Sequence, residues 1–289
     1  MFSRATLIGL TAILLWSGLA LMTAASGTMP PFQLAAVTFA IGGALGLVFA
    51  ASRGRRAALR QPWQVWLGGV GGLFGSHALY FSALRQAPPA EAGLIAYLWP
   101  LLIVLLSAML PGERSGARHI PGALLGLAGV ATLIAGPKLL SGAGLALETR
   151  YLTGFLLAFA CAFVWSIYSV LSRRFKSVPT EAVAGFCIAT ALLAALCHSV
   201  FETTVWPTQA SNWLAILGLG LGPVGLAFYT WDHGVKHGDI RFLGVASYAA
   251  PVLSTLILVA AGLAAPSWTL AFACGLIVAA AVVATPRAV

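Results

Sequence analysis

The chain reads as an all-α polytopic membrane protein: ten transmembrane helices forming two inverted five-helix repeats around a central cavity. Three observations lead there. Charged residues are 8 % of the 289, against about 25 % in ordinary soluble domains, and mean hydropathy is +0.95. Uninterrupted apolar runs recur at about 20 residues, the length a helix needs to cross the hydrocarbon core. The second half also repeats marker positions of the first at offsets of 149 to 151 residues. Trp16-Ser17 returns as Trp165-Ser166, Tyr97-x-x-Pro100 as Tyr248-x-x-Pro251, Ala83-Leu84-Arg85 in outline as Gly234-Val235-Lys236, and Gly126…Pro137 as Gly275…Pro286. Lipid offers no partner to an unpaired peptide group, so each crossing must be a helix or a strand of a closed barrel. Barrel strands would alternate polar and apolar residues, and these runs do not. Internal symmetry in such a chain marks a secondary transporter, with substrate held between the related bundles near the bilayer midplane.

Charged or proline-rich breaks divide the apolar sequence into ten spans. The first, 4–25, has Arg4 ahead of it and Ala24-Ala25-Ser26 at its end, the outline of a cleaved signal peptide. Its Trp-Ser pair recurs in the sixth span, and a cleaved segment has no reason to be copied inside a repeat, so it counts as a span. The second and third, 31–51 and 63–86, flank the basic loop of Arg53, Arg55, Arg56 and Arg60. The fourth, 89–110, opens after Pro88 with Glu91 in its first turn, where an acid complements the helix dipole. The fifth, 118–137, carries Gly122 and Gly126. The second half follows the same plan at 151–172, 180–201, 211–236, 239–262 and 268–286, so the repeats occupy 1–140 and 150–289.

With ten spans, one face collects Arg4, the four arginines of the 53–60 loop, Arg114, Arg118, Arg173, Arg174, Lys176, Lys236, Arg241 and Arg287, which is 13 of the 16 basic residues. The other face holds Arg85, Lys138 and Arg150. By the positive-inside rule both termini are cytoplasmic. The net charge of +9 is then a topology signal and not a nucleic-acid footprint. Five spans per repeat is an odd number, so the second repeat enters the membrane from the opposite face.

Cys161, Cys187, Cys197 and Cys274 lie inside apolar spans without CxxC spacing and read as packing residues, supporting neither a disulfide framework nor a zinc site. Glycines four apart, among them Gly42 and Gly46, Gly71 and Gly75, Gly122 and Gly126, and Gly234 and Gly238, read as faces where helix backbones approach closely. Gly220-x-Gly222-x-x-Gly225 spells a dinucleotide fingerprint, but it sits mid-span with no strand before it. No cofactor is expected.

His77, Tyr80, Phe81 and Leu84 fall on one stripe of the third span. A step of 151 residues lands on Phe228, Trp231, Asp232 and Val235 in the eighth. Trp16 and Trp165, like Tyr97 and Tyr248, sit near the middle of their spans, where an indole N–H or phenol needs a polar cavity or a ligand. Tyr97 and Trp99 are two apart and cannot share a helix face; the repeat favours Tyr97, because Trp99 maps to Ala250. The expected substrate-binding residues are therefore Trp16, His77, Tyr80, Tyr97, Trp165, Phe228, Trp231 and Tyr248. Pro100 and Pro251 remove a helical hydrogen bond and make either hinges or static bends. Of the His, Asp, Glu, Lys and Arg residues, only His77 and Asp232 lie more than three residues inside a span, and Asp232 has Lys236 four residues on for an ordinary ion pair. His77 either packs, bonds a substrate carboxylate or titrates in a proton-coupled cycle.

Tyr80-Phe81-Ser82-Ala83-Leu84, Tyr97-Leu98-Trp99-Pro100, Gly112-Glu113 and Gly122-x3-Gly126-x-x-Gly129, in that order, resemble the first repeat of ten-helix carriers of the drug/metabolite transporter superfamily. The Tyr-Leu-Trp-Pro string is most like the aromatic amino-acid exporters. The resemblance implies a bacterial inner-membrane protein that exports aromatic and other neutral amino acids from a central cavity lined by spans 1, 3, 4, 6, 8 and 9. In the second repeat Gly112-Glu113 corresponds to Leu263-Ala264, a departure from that symmetry.

The substrate class agrees with the residues. An amino acid with an aromatic side chain needs apolar walls and a few dipoles, whereas a sugar phosphate would call for Lys or Arg at mid-membrane depth. A lipophilic drug or metabolite exporter of the same fold is the alternative. An intramembrane enzyme would need paired carboxylates, an HExxH helix or a serine with its base, and the chain offers none. Since the duplication supplies both halves of a pathway, a monomer in the lipid bilayer, binding only small-molecule substrate, is expected.

Overall fold

The computed structural model describes residues 2–110 and 119–285. Gly112-Glu113, Arg114, Arg118, Pro286 and Arg287 lie outside the described residues. Every regular element among those described is helical. Helix α1 (Arg4–Ser17) starts where the Ser3 hydroxyl accepts the Thr6 N–H and is followed, past Gly18, by α2 (Leu19–Ala25). Next come α3 (Pro31–Ser52), with proline in its first turn where no N–H is needed, and the 24-residue α4 (Trp63–Gln86). The fourth expected span is two pieces, α5 (Pro89–Ala96) and α6 (Trp99–Ser107), and α7 (His119–Leu140) completes the first half.

In the second half α8 (Leu152–Arg174) and α9 (Ala182–Phe201) are continuous. The eighth expected span is α10 (Ala210–Leu221), a π-helical turn at Gly222–Leu226, and α11 (Ala227–His237). Pro223 has no N–H to continue the α-ladder, which is the physical reason for an irregular turn here. The GxGxxG string occupies this turn, where Gly225 lies against the Gly220 carbonyl and the Gly42 backbone. The ninth span is again two pieces, α12 (Ile240–Ala246) and α13 (Ala249–Ala260), and α14 (Trp268–Ala284) is last.

Among the described residues seven helical stretches are long and apolar enough to cross a membrane: Arg4–Ala25, Pro31–Ser52, His119–Leu140, Thr149–Arg174, Ala182–Phe201, Ala210–His237 and Ile240–Ala260. Large apolar side chains such as Leu14, Val48, Leu67, Leu140, Leu214 and Val282 stand exposed on their outer surfaces. In water that exposure would drive aggregation; in lipid it is the solvated state. The protein is a multi-pass membrane protein.

The helices interlock across the halves. α1 packs on α11, α4 on α8, α3 on α9 and α7 on α14. Small residues permit the close approaches: Gly9 faces Gly234, Gly42 faces Gly225, and Gly126 receives the Tyr248 ring. Not every glycine read as a packing face is one, since nothing lies within 4 Å of a Cβ placed on Gly71.

Ion pairs pin the ends. At one end Glu202, following α9, accepts the backbone N–H groups of Phe32 and Gln33 at the start of α3 and the Arg85 guanidinium at 2.8 Å. At that end too, Glu91 in the first turn of α5 bonds Lys138 Nζ at 2.7 Å and the Ala146 N–H. At the other end Arg55 meets Glu181 at 2.6 Å, and Lys236 meets Asp232 at 2.8 Å.

Candidate substrate site

Four tryptophans from four helices converge where the halves meet. Trp16 stands on α1 just before the Gly18 bend, Trp99 opens α6 after the break in its span, Trp165 is mid-α8 and Trp231 mid-α11. Trp16 lies 6.3, 5.8 and 5.2 Å from Trp99, Trp165 and Trp231 between ring centroids. Trp99 lies 6.2 and 5.8 Å from Trp165 and Trp231, which are themselves 6.4 Å apart. All six pairs are in contact, mostly edge to face, the arrangement that ring quadrupoles favour. Phe228, one helical turn before Trp231, packs on Trp16 and Trp165 and stacks on Phe39 of α3 at 5.5 Å. His77 of α4 closes the ring against Phe39 and Phe228.

The polar groups of this cage are few and directional. The Trp16 indole donates to the Pro223 carbonyl in the π-helical turn at 3.1 Å, and Trp231 donates to Ser169 Oγ at 3.1 Å. The indole N–H groups of Trp99 and Trp165 make no hydrogen bond to the described residues. His77 Nδ1 is 2.7 Å from the Leu73 carbonyl; since a carbonyl only accepts, the ring proton sits on Nδ1 and Nε2 is left as an acceptor. The cage thus offers ring faces, two unused donors and one acceptor, and no ionised side chain belongs to it. Such a lining suits an apolar or aromatic side chain, with ring faces to receive a cationic group.

Of the residues expected at the site, Trp16, His77, Trp165, Phe228 and Trp231 come together here. Tyr80 lies further along α4, its hydroxyl near Gly93 of α5. Tyr97 packs with Val104, Ala123 and Val130 in a second apolar cluster. Tyr248 is fully buried in that same cluster, and its hydroxyl accepts the Leu101 N–H at 3.2 Å. Trp99, set aside in favour of Tyr97, is the cage member, as is Phe39. Tyr97 and Trp99 belong to different clusters, Trp99 to the cage and Tyr97 to the second one. Pro100 and Pro251 sit at the second and third positions of α6 and α13, so each span breaks just ahead of its proline, at Tyr97–Leu98 and Ser247–Tyr248.

Asp232 points away from the cage and makes the Lys236 ion pair that its spacing suggests. The four cysteines are free thiols, and among the described residues no group of three His, Cys, Asp or Glu side chains is placed to hold a metal.

Comparison with known proteins places this architecture. The sequence model of the EamA-like transporter family matches twice, at residues 3–135 and 152–285. The chain is 62 % identical over 284 residues to the aromatic amino acid exporter YddG of Ancylobacter novellus, covering 98 % of this chain and 97 % of that one. It is 29 % identical to the proteins of the same name from Salmonella typhimurium and Escherichia coli, covering 88 % of this chain and 87 % of each. A solved crystal structure superposes with a TM-score of 0.94 at 62 % identity, covering 99 % of this chain and 97 % of that one. With both halves matched and one relative alike along nearly its whole length, the chain belongs to the EamA-like transporter family.

Proposed function

We propose that the protein exports aromatic and other neutral amino acids across a bacterial inner membrane by alternating access. The observation that carries this is the uncharged cage of four tryptophans at the meeting of helices from both halves. Trp16, His77, Trp165, Phe228 and Trp231, together with Trp99, hold the substrate side chain and its ammonium against ring faces. Tyr80, Tyr97 and Tyr248 stand outside the cage, Tyr80 near α5 and the other two in the second apolar cluster, where Tyr248 braces α6.

Ten spans in two inverted repeats, 1–140 and 150–289, frame the site, with Pro100 and Pro251 as symmetric hinges. Three observations support this arrangement. The family model matches once per half. The breaks at Tyr97–Leu98 and Ser247–Tyr248 are 150 residues apart, within the 149 to 151 of the sequence markers. Among the described residues, the ion pairs near helix ends also join residues that ten alternating crossings put on one face. On the outer face Arg85, Lys138 and Arg150 pair with Glu202, Glu91 and Glu148, leaving 3 − 3 = 0. The inner face keeps 13 bases against Glu113, Glu181, Asp232 and Asp239, so 13 − 4 = +9, the whole net charge. Both termini are then cytoplasmic. The protein works as a monomer, because the two halves already enclose a pathway.

The test is uptake by proteoliposomes of labelled tryptophan, threonine and a cationic dye. Movement of both amino acids is expected. Movement of the dye alone would replace this reading with that of a lipophilic-compound exporter of the same fold.

A further inference from the structure

Below the tryptophan cage, toward the end that carries Arg55 and Glu181, a small crevice of ≈ 20 Å³ opens between α4, α8, α9 and α11. Its walls are mostly apolar, including Val65, Phe175 and Phe186, yet four polar side chains line it: Tyr168, Ser172, Asp232 and Lys236. It adjoins the cage directly, since the Tyr168 ring contacts Trp165 at 5.3 Å and Asp232 follows Trp231 in α11.

Three of these polar groups have capacity left over. The Asp232 and Lys236 side chains are 2 % and 3 % exposed. Asp232 Oδ2 takes the Lys236 ammonium at 2.8 Å and the Thr180 hydroxyl at 2.7 Å, so both bonds fall on one oxygen and Oδ1 accepts none from the described residues. Lys236 Nζ also donates to the Val178 carbonyl at 2.9 Å, which uses two of its three N–H groups. The Tyr168 hydroxyl is buried beside Ser172 and makes no well-formed hydrogen bond among the described residues. A carboxylate oxygen, an ammonium N–H and a phenol, all unused in one apolar recess, are costly there unless a ligand at times completes them.

We propose that this crevice is a loading subsite that takes the charged end of a zwitterionic amino acid, the α-ammonium at Asp232 and the α-carboxylate at Lys236 with Tyr168. The resident ion pair stands in for the ligand: on entry the substrate inserts its two charges between Asp232 and Lys236, and on moving up to the cage it lets them close again. The subsite thereby requires both charges, a demand that the uncharged cage does not make. It lies on the inner face, where an exporter collects its substrate, and so rests on the proposed function.

Counterflow of labelled L-tryptophan through the full-length protein in proteoliposomes, competed with indole-3-propionate, which lacks the ammonium, and with tryptamine, which lacks the carboxylate, tests it. Wild type is expected to prefer L-tryptophan over both. Asp232→Asn is expected to cut discrimination against indole-3-propionate about tenfold and spare that against tryptamine, and Lys236→Gln the reverse, each charged hydrogen bond accounting for about a factor of ten. Tyr168→Phe removes a hydroxyl that has only Ser172 beside it, so a purely structural role predicts at most a small loss of thermal stability at unchanged KM; a several-fold rise in KM is expected instead. A silent Tyr168→Phe, or Asp232 and Lys236 variants that affect all three compounds alike, would overturn the subsite and leave the transport reading standing. A wild type that moves no amino acid would overturn both.

Discussion

Tyr248 and Trp99 show how two buried rings in one family of positions come to do different work. The Leu101 N–H would pair with Tyr97 in a continuous helix, but the span is broken there, and the Tyr248 hydroxyl takes its place. Tyr248→Phe leaves that N–H unsatisfied and is expected to cost about 1 kcal/mol of stability with little change in KM. Trp99→Ala opens the cage and is expected to weaken tryptophan transport about tenfold, and that of threonine less, as truncation of a buried aromatic anchor does. Kinetics and melting curves on the two variants check the contrast; equal KM effects would place both residues at the site or neither. Trp16, Trp165, Phe228 and Trp231 were legible in the sequence because a mid-span ring and a symmetry mate coincide at each. Trp99 was not legible, because a symmetric frame carries an asymmetric lining: its counterpart Ala250 packs elsewhere, and no local pattern distinguishes an inward ring from an outward one two residues away. Phe39 had no mate at all to mark it.

Among the helices, existence and order followed from hydropathy, and the observed ends fall close to the expected ones. Their interruptions were only partly legible. Pro100 and Pro251 signalled disturbance, but the chain yields ahead of each proline, because a proline fits the first turn of a new segment better than a helix interior. The π-helical turn at Gly222–Leu226 had only Pro223 and its glycines as a signal, and the same glycines spelled a nucleotide motif. Spacing alone likewise cannot tell Gly72, which receives the Tyr168 ring, from its neighbour Gly71, which faces open space. If the two proline breaks are hinges, Pro100→Ala and Pro251→Ala return an N–H opposite the carbonyls of Ala96 and Ser247 and stiffen both spans. The double variant is then expected to transport several-fold more slowly with substrate affinity retained, measured by counterflow rate against equilibrium binding. An unchanged rate would make the breaks static bends.

For the molecule as a whole, charge decides how the bundle sits. Bases on the proposed outer face are each neutralised by an acid within 3.0 Å, whereas the proposed inner face would set a surplus of bases against anionic lipid headgroups. This distribution was legible as a count of bases per loop, but the pairing was not, since Glu202 and Arg85 are 117 residues apart in sequence. A cysteine introduced at Ala57, in the exposed turn between α3 and α4, should react with a membrane-impermeant maleimide only from the cytoplasmic side. One at Ser141, exposed after α7, should react only from outside. The four natural thiols lie within helices, Cys187 buried and the other three partly so, and replacing them with alanine removes their contribution to labelling. Labelling of both engineered cysteines from one side of intact cells would break the odd crossing number between them. With it would go the inversion that lets one five-helix module, used twice, face the cage from both sides of the membrane.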